Sequence, residues 1–483
     1  MKLTNEQKAV VEKLSNLNSH LVINAYAGTG KTTTLKALAE AYPDKAFLYL
    51  AFNASVKQEA EKHFPNNVKV LTTHGLAYRW YTKHFGKPNL DFNLRPYHVH
   101  KEFGCEYSEA FLALSALHYF TNSRHIDIKQ SVHYIMSIYK KQFKDVSKAI
   151  VKNVAEALYQ QMKDRKRGIT HDFYLKMMSQ SDDIEQEFLI YDYILLDEAQ
   201  DTNPVVYDIL LKSNKPIVAV GDRFQKIYGF RNAMDVLTDL RLHHNADMLY
   251  LTHSFRFPQE IADFATKIIR KLDENVPDLK GCGPKSLTES SEAILCRTNA
   301  GIIQKAFEFI RYNKPFYSNK RPSEIFQMPF AILHVFYGYL PPFKTPNQLI
   351  SFLRSFNSLI ELQNYSNEAN DIEIVNAIKI VNQYTYADLV KLYETFKRSR
   401  KGVCITTTHV AKGLEFGKVQ LMSDFVSTKF NERTFTEEFH LFYVAATRAI
   451  HSLYIPGYIV EHYLCHSKKC DEDMTFNYSA SLM

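Results

Sequence analysis

The sequence predicts an α/β fold of two parallel-sheet domains, each interrupted once by a largely helical insertion. Three observations carry this expectation. Short apolar runs alternate with helical stretches over the first 75 residues, the pattern returns between about 188 and 222, and it recurs between about 293 and 456. Strand, glycine-bearing loop, helix and strand in succession is the grammar of a parallel sheet, because parallel strands need crossover connections.

Taken in order, HLVIN (20–24) reads as a buried strand and AYAGTGKT (25–32) as a loop. TTLKALAEAY (33–42) follows as a helix, AFLYLAF (46–52) as a strand, VKQEAEKHF (56–64) as a helix and VKVLTTH (68–74) as a third strand. From about 76 to 180 the apolar residues fall at helical spacing among many lysines, which marks an insertion. Strand signals return at FLIYDYILLDEA (188–199) and PIVAVGD (216–222). A second α/β unit begins near SFRFP (254–258), with AILCRTN (293–299) as a strand. A stretch from about 312 to 400 is interrupted by prolines at first and helical later; GVCITTTHV (402–410), KVQLMSDF (418–425) and SLYIP (452–456) then resume the sheet. The expected boundaries are 1–75 with 185–253 for the first domain and 76–184 for its insertion. The second domain takes 254–311 with 402–483, and its insertion 312–401.

A chain of 483 residues exceeds one compact core, and 46% hydrophobic with 23% charged residues describes a folded protein. The net charge of +7 favours polyanionic partners, though many metabolic enzymes are equally basic. The 30 Tyr and 33 Phe fill cores by default; a base-stacking role needs support from position. Six scattered cysteines contain no CxxC pair, so neither a zinc ribbon nor a disulfide framework is indicated. Cys465 and Cys470, near His462 and His466, match no structural-zinc spacing. MKLTNEQKAV lacks an apolar leader and no apolar run has the length to span a bilayer. The expectation is a soluble protein with no membrane partner, cytoplasmic or nucleoid-associated, or nuclear in a eukaryote.

Ala25 to Thr32 matches a phosphate-binding loop except that Ala replaces the first Gly. Backbone N–H groups of such a loop cradle phosphates at a helix N-terminus. Lys31 is expected to neutralise the β- and γ-phosphates and the Thr32 hydroxyl to hold Mg²⁺. A glycine-rich turn that merely contains lysine would not need the strand before it and the helix after it. ILLDEAQD then ends a strand and delivers Asp197 and Glu198, the first to hold Mg²⁺ through water and the second to polarise the attacking water. Adjacent acids are usually solvated surface charges, but that reading predicts no apolar strand in front. The cofactors expected are ATP and Mg²⁺.

With these motifs in place the chain resembles the UvrD-like superfamily 1 helicases over most of its length. The resemblance implies two RecA-like domains. Gln7 in LTNEQKAV looks like the family's adenine-reading glutamine, and Ala27, Gly28, Thr29, Gly30, Lys31, Thr32 and Thr33 like its nucleotide loop. AFNAS is similar to the DNA-contact motif, with Phe52 and Asn53; TTHGLAYR is similar to the next, with Thr73 and His74. VGDRFQKIYGFR resembles the motif joining nucleotide to DNA: Gln225 would sense the γ-phosphate, and Tyr228, Phe230 and Arg231 would meet the strand. Most relatives carry Trp where Phe230 stands. In LTHSFRF, Phe255 would stack on adenine and Arg256 touch the γ-phosphate; in TTHVAKGLEF, Glu415 lies near the ribose and His409 near DNA. EEFHLFYVAATRA supplies Arg448 as a second arginine finger. Seven motifs in family order outweigh the dull reading of each arginine as a surface ion pair.

AYAGTGKTTTL, LYLAFNASV, FPNNVKVLTTHGLAY, GITHDFYLK and AKGLEFGKVQLMSDF are most similar to the helicase core of the F-box DNA helicases. The chain starts almost at the glutamine motif, so no F-box is expected ahead of it. The resemblance implies an ATP-dependent 3′–5′ single-stranded DNA translocase and helicase in repair, recombination or replication. Its implied partners are single-stranded DNA, junctions of single and double strands, and recombinase or replication proteins, and it is expected to act as a monomer. Two alternatives are a translocase that strips proteins from DNA with little unwinding, and a nucleic-acid-binding scaffold with a dead ATPase. The scaffold predicts loss of Lys31, Glu198 or an arginine finger, and all are present. Basic runs KDRKR (163–167) and KRSRK (397–401) are as readily solvated faces as DNA contacts.

Overall fold

Apolar runs of four to seven residues, too short for stable helices, form the central strands. The computed structural model describes residues 2–17, 19–51, 53–91, 94–140, 143, 146–227, 234–283, 291–368, 371–427, 435–464 and 474–477. By contacts the chain divides into two units: Met1–Ala25 with Gly30–Leu251, and Tyr26–Thr29 with Thr252–Met483.

In the first unit six strands are described: β1 (Leu21–Ala25), β2 (Phe47–Ala51), β3 (Val68–Thr72), β4 (Tyr193–Leu196), β5 (Ile217–Gly221) and β6 (Asp247–Leu251). They lie in the order β3-β2-β4-β5-β1-β6, every pair parallel. β1, β2 and β5 are buried along their whole length, which is why they read as unbroken apolar runs. Leu21, Ile23, Phe47, Tyr49 and Val218 face one core, with Leu35 and Leu38 of helix Lys31–Ala41. Val22, Leu48, Ile194 and Ala219 face the other.

Between β3 and β4 the chain runs through helices Thr73–Phe85, Pro96–Phe103, Tyr107–Thr121, Ile128–Ile138, Lys148–Lys163 and His171–Ser179. Trp80, Phe120, Leu158 and Phe173 from these helices belong to the same core as Val22 and Leu48, so the insertion packs onto the sheet it interrupts. Several strand expectations need correction; GVCITTTHV, for one, is strand only to Thr407 and helical over Thr408–Ala411. FLIYDYILLDEA forms a strand only over Tyr193–Leu196: Ile184–Phe188 is a 3₁₀ turn, and Leu189 and Ile190 are 62% and 73% exposed. Thr73 and His74 open a helix rather than ending a strand, because Thr72 accepts the Gly75 N–H at 3.0 Å as its N-cap.

The second unit holds a short parallel pair, β7 (His253–Ser254) with β8 (Lys280–Gly281). Its larger sheet is β9 (Glu292–Cys296), β10 (Phe316–Tyr317), β11 (Val403–Thr407), β12 (Phe416–Leu421), β13 (Ala449–Ile455) and β14 (Met474–Asn477). The order is β10-β11-β9-β12-β13-β14, parallel except for antiparallel β14. Between β10 and β11 lie helices including Gln327–Tyr337, Ile372–Gln383 and Tyr386–Arg398. Ile332, Leu362, Ile374 and Ile378 give part of this insertion a core of its own. Among the described residues no helix is long and apolar enough to cross a membrane, and no cluster of three or more His, Cys, Asp or Glu is placed to hold a metal. Cys465, His466 and Cys470 lie outside the described residues.

Candidate functional site

β1 ends at Ala25, and the chain turns through the loop to a helix that opens at Lys31. Gly30 is that helix's N-cap and sits at φ +78°, a left-handed conformation that L side chains rarely adopt. The Thr29 hydroxyl donates to Tyr26 O at 2.8 Å and braces the turn. A Cβ on Gly30 would lie 3.1 Å from Gln7 Nε2, so the buried Gln7 amide sits against the loop. Gln7 Oε1 accepts the Thr4 N–H at 3.0 Å in a capping box, which fixes the glutamine's orientation.

β4 lies beside β2 and β5, and its carboxyl end brings the acidic pair to the loop. The Thr32 hydroxyl donates to Asp197 Oδ2 at 3.3 Å, and Lys31 Nζ lies 3.5 Å from Glu198 Oε1. Tyr49, which no sequence motif marks, donates its phenol to Asp197 Oδ2 at 2.6 Å; Glu198 N–H donates to Asp197 Oδ1 at 2.8 Å. Burial and then the neighbouring Glu198 push the Asp197 carboxyl up, while Tyr49, Lys31 and the Glu198 N–H pull it down. Burial and then the charge of Asp197 raise the Tyr49 phenol, so it stays a donor. A hydroxyl and a carboxylate converging at a phosphate loop are hard oxygen donors of the kind Mg²⁺ takes, so Thr32 and Asp197 fit the metal.

Gln225, buried after β5, donates to Asp222 Oδ2 at 2.7 Å. A second residue that sequence reasoning missed, Gln200, donates to Glu198 Oε2 at 2.6 Å and accepts the Asp222 N–H at 3.1 Å. Its signal lay in DEAQD, next to the acids.

Within the second unit, Arg256 holds Glu415 Oε1 through Nε at 2.7 Å and Nη2 at 2.6 Å, and Nη1 donates to Thr447 O at 3.0 Å. Arg448, 1% exposed, donates to Val444 O at 3.0 Å, Leu414 O at 3.4 Å and Thr447 Oγ1 at 3.2 Å. The fold therefore brings Arg256, Glu415 and Arg448 together from three distant stretches. Phe255 is 37% exposed, and its N–H donates to Gly28 O at 2.8 Å. Ala27 N–H donates to Tyr443 Oη at 3.3 Å in the same unit.

The residues read as nucleic-acid contacts are placed less evenly. Asn53, exposed, caps helix Ala54–His63 by accepting the Val56 N–H at 2.9 Å. His74 Nε2 lies 3.2 Å from Asp172 Oδ1, so a carboxylate from the insertion orients the imidazole. His409 is largely buried, and desolvation, with Arg297, Lys320 and Lys412 nearby, pushes its imidazole down to about 4. Thr73 is half-buried, and Thr33 lies in the first turn after the loop. Phe52, Tyr228, Phe230 and Arg231 lie outside the described residues. In the basic runs, Arg167, with its side chain only 15% exposed, pairs with Glu102, and the more exposed Lys397 pairs with Glu394, so both charges are met within the protein.

Residues 3–241 match the UvrD/REP helicase N-terminal domain, and residues 342–458 the UvrD-like helicase C-terminal domain. The chain is 29% identical to F-box DNA helicase protein 1 of Schizosaccharomyces pombe, across 95% of this chain and 58% of that protein. It is 28% identical to F-box DNA helicase 1 of Gallus gallus, across 93% of this chain and 48% of the relative. A putative ATP-dependent DNA helicase, YjcD of Bacillus subtilis, is 26% identical across 56% of this chain and 38% of its own length. The chain thus spans about half the length of the two F-box relatives it matches.

Proposed function

The chain belongs to the UvrD-like superfamily 1 helicases, and from that membership we propose that it is an ATP-driven translocase on single-stranded DNA that separates duplex strands. We read its direction as 3′ to 5′, its substrates as tailed or forked junctions, and its setting as repair, recombination or replication. The observation that carries the reading is the convergence of Lys31, Thr32, Asp197 and Glu198 at the end of β1 and β4, with distances of 3.3 and 3.5 Å across the two pairs.

Each side chain has a task that follows from its chemistry. Lys31, now facing Glu198, has an ammonium suited to the β- and γ-phosphates; engaging them releases Glu198 to accept a proton from water. Thr32 and Asp197 would hold Mg²⁺, which when bound neutralises phosphate charge. Arg256 and Arg448 are assigned as the phosphate-contacting arginines, with Glu415 occupying Arg256 until phosphate competes for it. Gln7 is assigned to the adenine edge and Phe255 to its face. Thr73, His74 and His409 are assigned to the strand, with Phe52, Tyr228 and Phe230 as stacking rings.

The test is unwinding of 3′-tailed against 5′-tailed duplexes, run beside displacement of a bound recombinase from single-stranded DNA. Unwinding restricted to 3′ tails supports the reading. Displacement with no strand separation on either tail would instead assign the chain to protein stripping, and ATP turnover unchanged by DNA would overturn the motor altogether.

A further inference from the structure

We propose that Gln200 is a positioning residue that locks Glu198 in a resting posture and frees it when nucleic acid shifts the Asp222–Gln225 turn. We further propose that Gly221 is the gap in which Gln200 sits. This rests on the proposed ATPase and deepens it, by naming what makes turnover depend on the strand.

β4 and β5 are neighbours in register, with Leu196 opposite Ala219, so the segments that follow them emerge side by side. One carries Asp197–Asp201 and the other Asp222–Gln225. Gln200 is fully buried between them. Its Nε2 donates to Glu198 Oε2 at 2.6 Å and its Oε1 accepts the Asp222 N–H at 3.1 Å. Asp222, also fully buried, takes Gln225 Nε2 on Oδ2 at 2.7 Å and the Phe224 N–H on Oδ1 at 3.1 Å. A continuous chain of hydrogen bonds therefore runs Glu198–Gln200–Asp222–Gln225.

Two further facts give this chain a direction. Both carboxylate oxygens of Glu198 are engaged, Oε1 facing Lys31 at 3.5 Å and Oε2 taking the Gln200 amide. A carboxylate gripped on both oxygens is fixed in place and cannot turn toward a water in the site. Glu198 also sits at φ +49°, an uncommon posture for a non-glycine residue that persists only where its surroundings over-determine it. ATP phosphates can draw off Lys31, but nothing in the nucleotide's chemistry draws off Gln200. Its other partners are Asp201, whose Oδ2 takes Nε2 at a longer 3.4 Å, and the Asp222 turn; three residues past that turn's end stands Tyr228, one of the rings assigned to the strand.

Gly221 supplies an independent check. A Cβ there would run into Gln200 Oε1 and stand 3.1 Å from the Ala199 nitrogen. Its φ is not positive, so the constraint is space rather than backbone conformation.

The experiment compares wild type, Gln200→Ala and Gly221→Ala in steady-state ATP turnover with and without saturating oligothymidylate. Binding of labelled nucleotide and of oligothymidylate is measured in parallel. The expected result is a ratio of DNA-stimulated to DNA-free turnover that falls toward one in both variants, with both affinities kept within about threefold. Variants that lose rate with the ratio preserved would make Gln200 a packing residue and overturn the proposal. If the variants do not fold, hydrogen exchange in wild type decides: protection across 197–201 should change when oligothymidylate is added, and unchanged protection overturns the relay. Wild-type turnover that ignores oligothymidylate would sink the proposed function itself, a failure distinct from either of these.

Discussion

Replacing Tyr49 by Phe removes one oxygen atom and isolates one interaction. The ring stays, with its tilted packing on Phe64 at 4.7 Å between centroids, so the core volume around β2 is nearly unchanged. What disappears is the 2.6 Å hydrogen bond to Oδ2 of Asp197, a carboxylate only 6% exposed. The remaining neighbour on that oxygen is the Thr32 hydroxyl at 3.3 Å, a weaker restraint. A hydrogen bond to a charged group contributes about 1.5–3 kcal/mol. Loss of a partner behind a metal-ligating group typically costs about 10–100-fold in metal affinity, or about 1.4–2.7 kcal/mol, so the two scales agree. The assay is a Mg²⁺ titration of labelled ADP binding, followed by fluorescence rather than turnover. The Mg²⁺ midpoint should rise about 10–100-fold in Tyr49→Phe, while nucleotide binding without metal changes little. A midpoint that stays within about twofold of wild type, even beside a lowered melting temperature, would refute the reasoning and leave Tyr49 as a core residue.

Three other outcomes are expected. Glu198→Gln should keep nucleotide binding and nearly abolish turnover, whereas Lys31→Ala should weaken binding itself; equal loss of affinity in both, by labelled-nucleotide titration, contradicts the separate roles. His409, held near 4 in the fold against about 6.5 unfolded, binds its proton more readily unfolded, so its stabilising contribution is complete above about pH 6.5 and lost as pH falls toward 4. The loss is at most about 3 kcal/mol, less for the part of the ring that keeps solvent, and His409→Gln should flatten that acid limb in urea melts; an identical limb refutes it. Phe230→Ala should weaken oligonucleotide binding by about 1–3 kcal/mol with a normal melting temperature, and Phe230→Trp should grip as well or better. A large melting drop for Ala with Trp poorly tolerated assigns the ring to packing.

The convergence of Lys31, Thr32, Asp197 and Glu198 was legible because its signals are local: a strand, a glycine turn with Lys31 and Thr32, then an apolar strand ending in two acids. Tyr49 was not legible. AFLYLAF is apolar throughout, and only the pairing of β2 with β4, Tyr49 opposite Leu195, puts the phenol beside Asp197. Gln200 was visible in sequence, but its partner Asp222 depends on β4 and β5 being neighbours. FLIY read as strand because apolar runs are usually buried; here Leu189 and Ile190 face solvent. β6 was missed because DMLYL is only partly buried and follows a polar stretch, and β10 is two residues long. The insertion helices were legible from their spacing, whereas the carboxylate that Asp172 sends to His74 spans 98 positions and leaves no local trace.

The left-handed backbone at Glu198 has a consequence for anyone trying to harden this protein against heat. Holding a β-carbon in that region costs on the order of 1 kcal/mol, and glycine or asparagine would sit there more comfortably. A library scored on thermal tolerance alone would therefore enrich Glu198→Gly and Glu198→Asn, and the more rigorous the heating, the stronger the enrichment. Survivors would melt later and turn over less. Position 198 is best held fixed while the rest of the chain is varied.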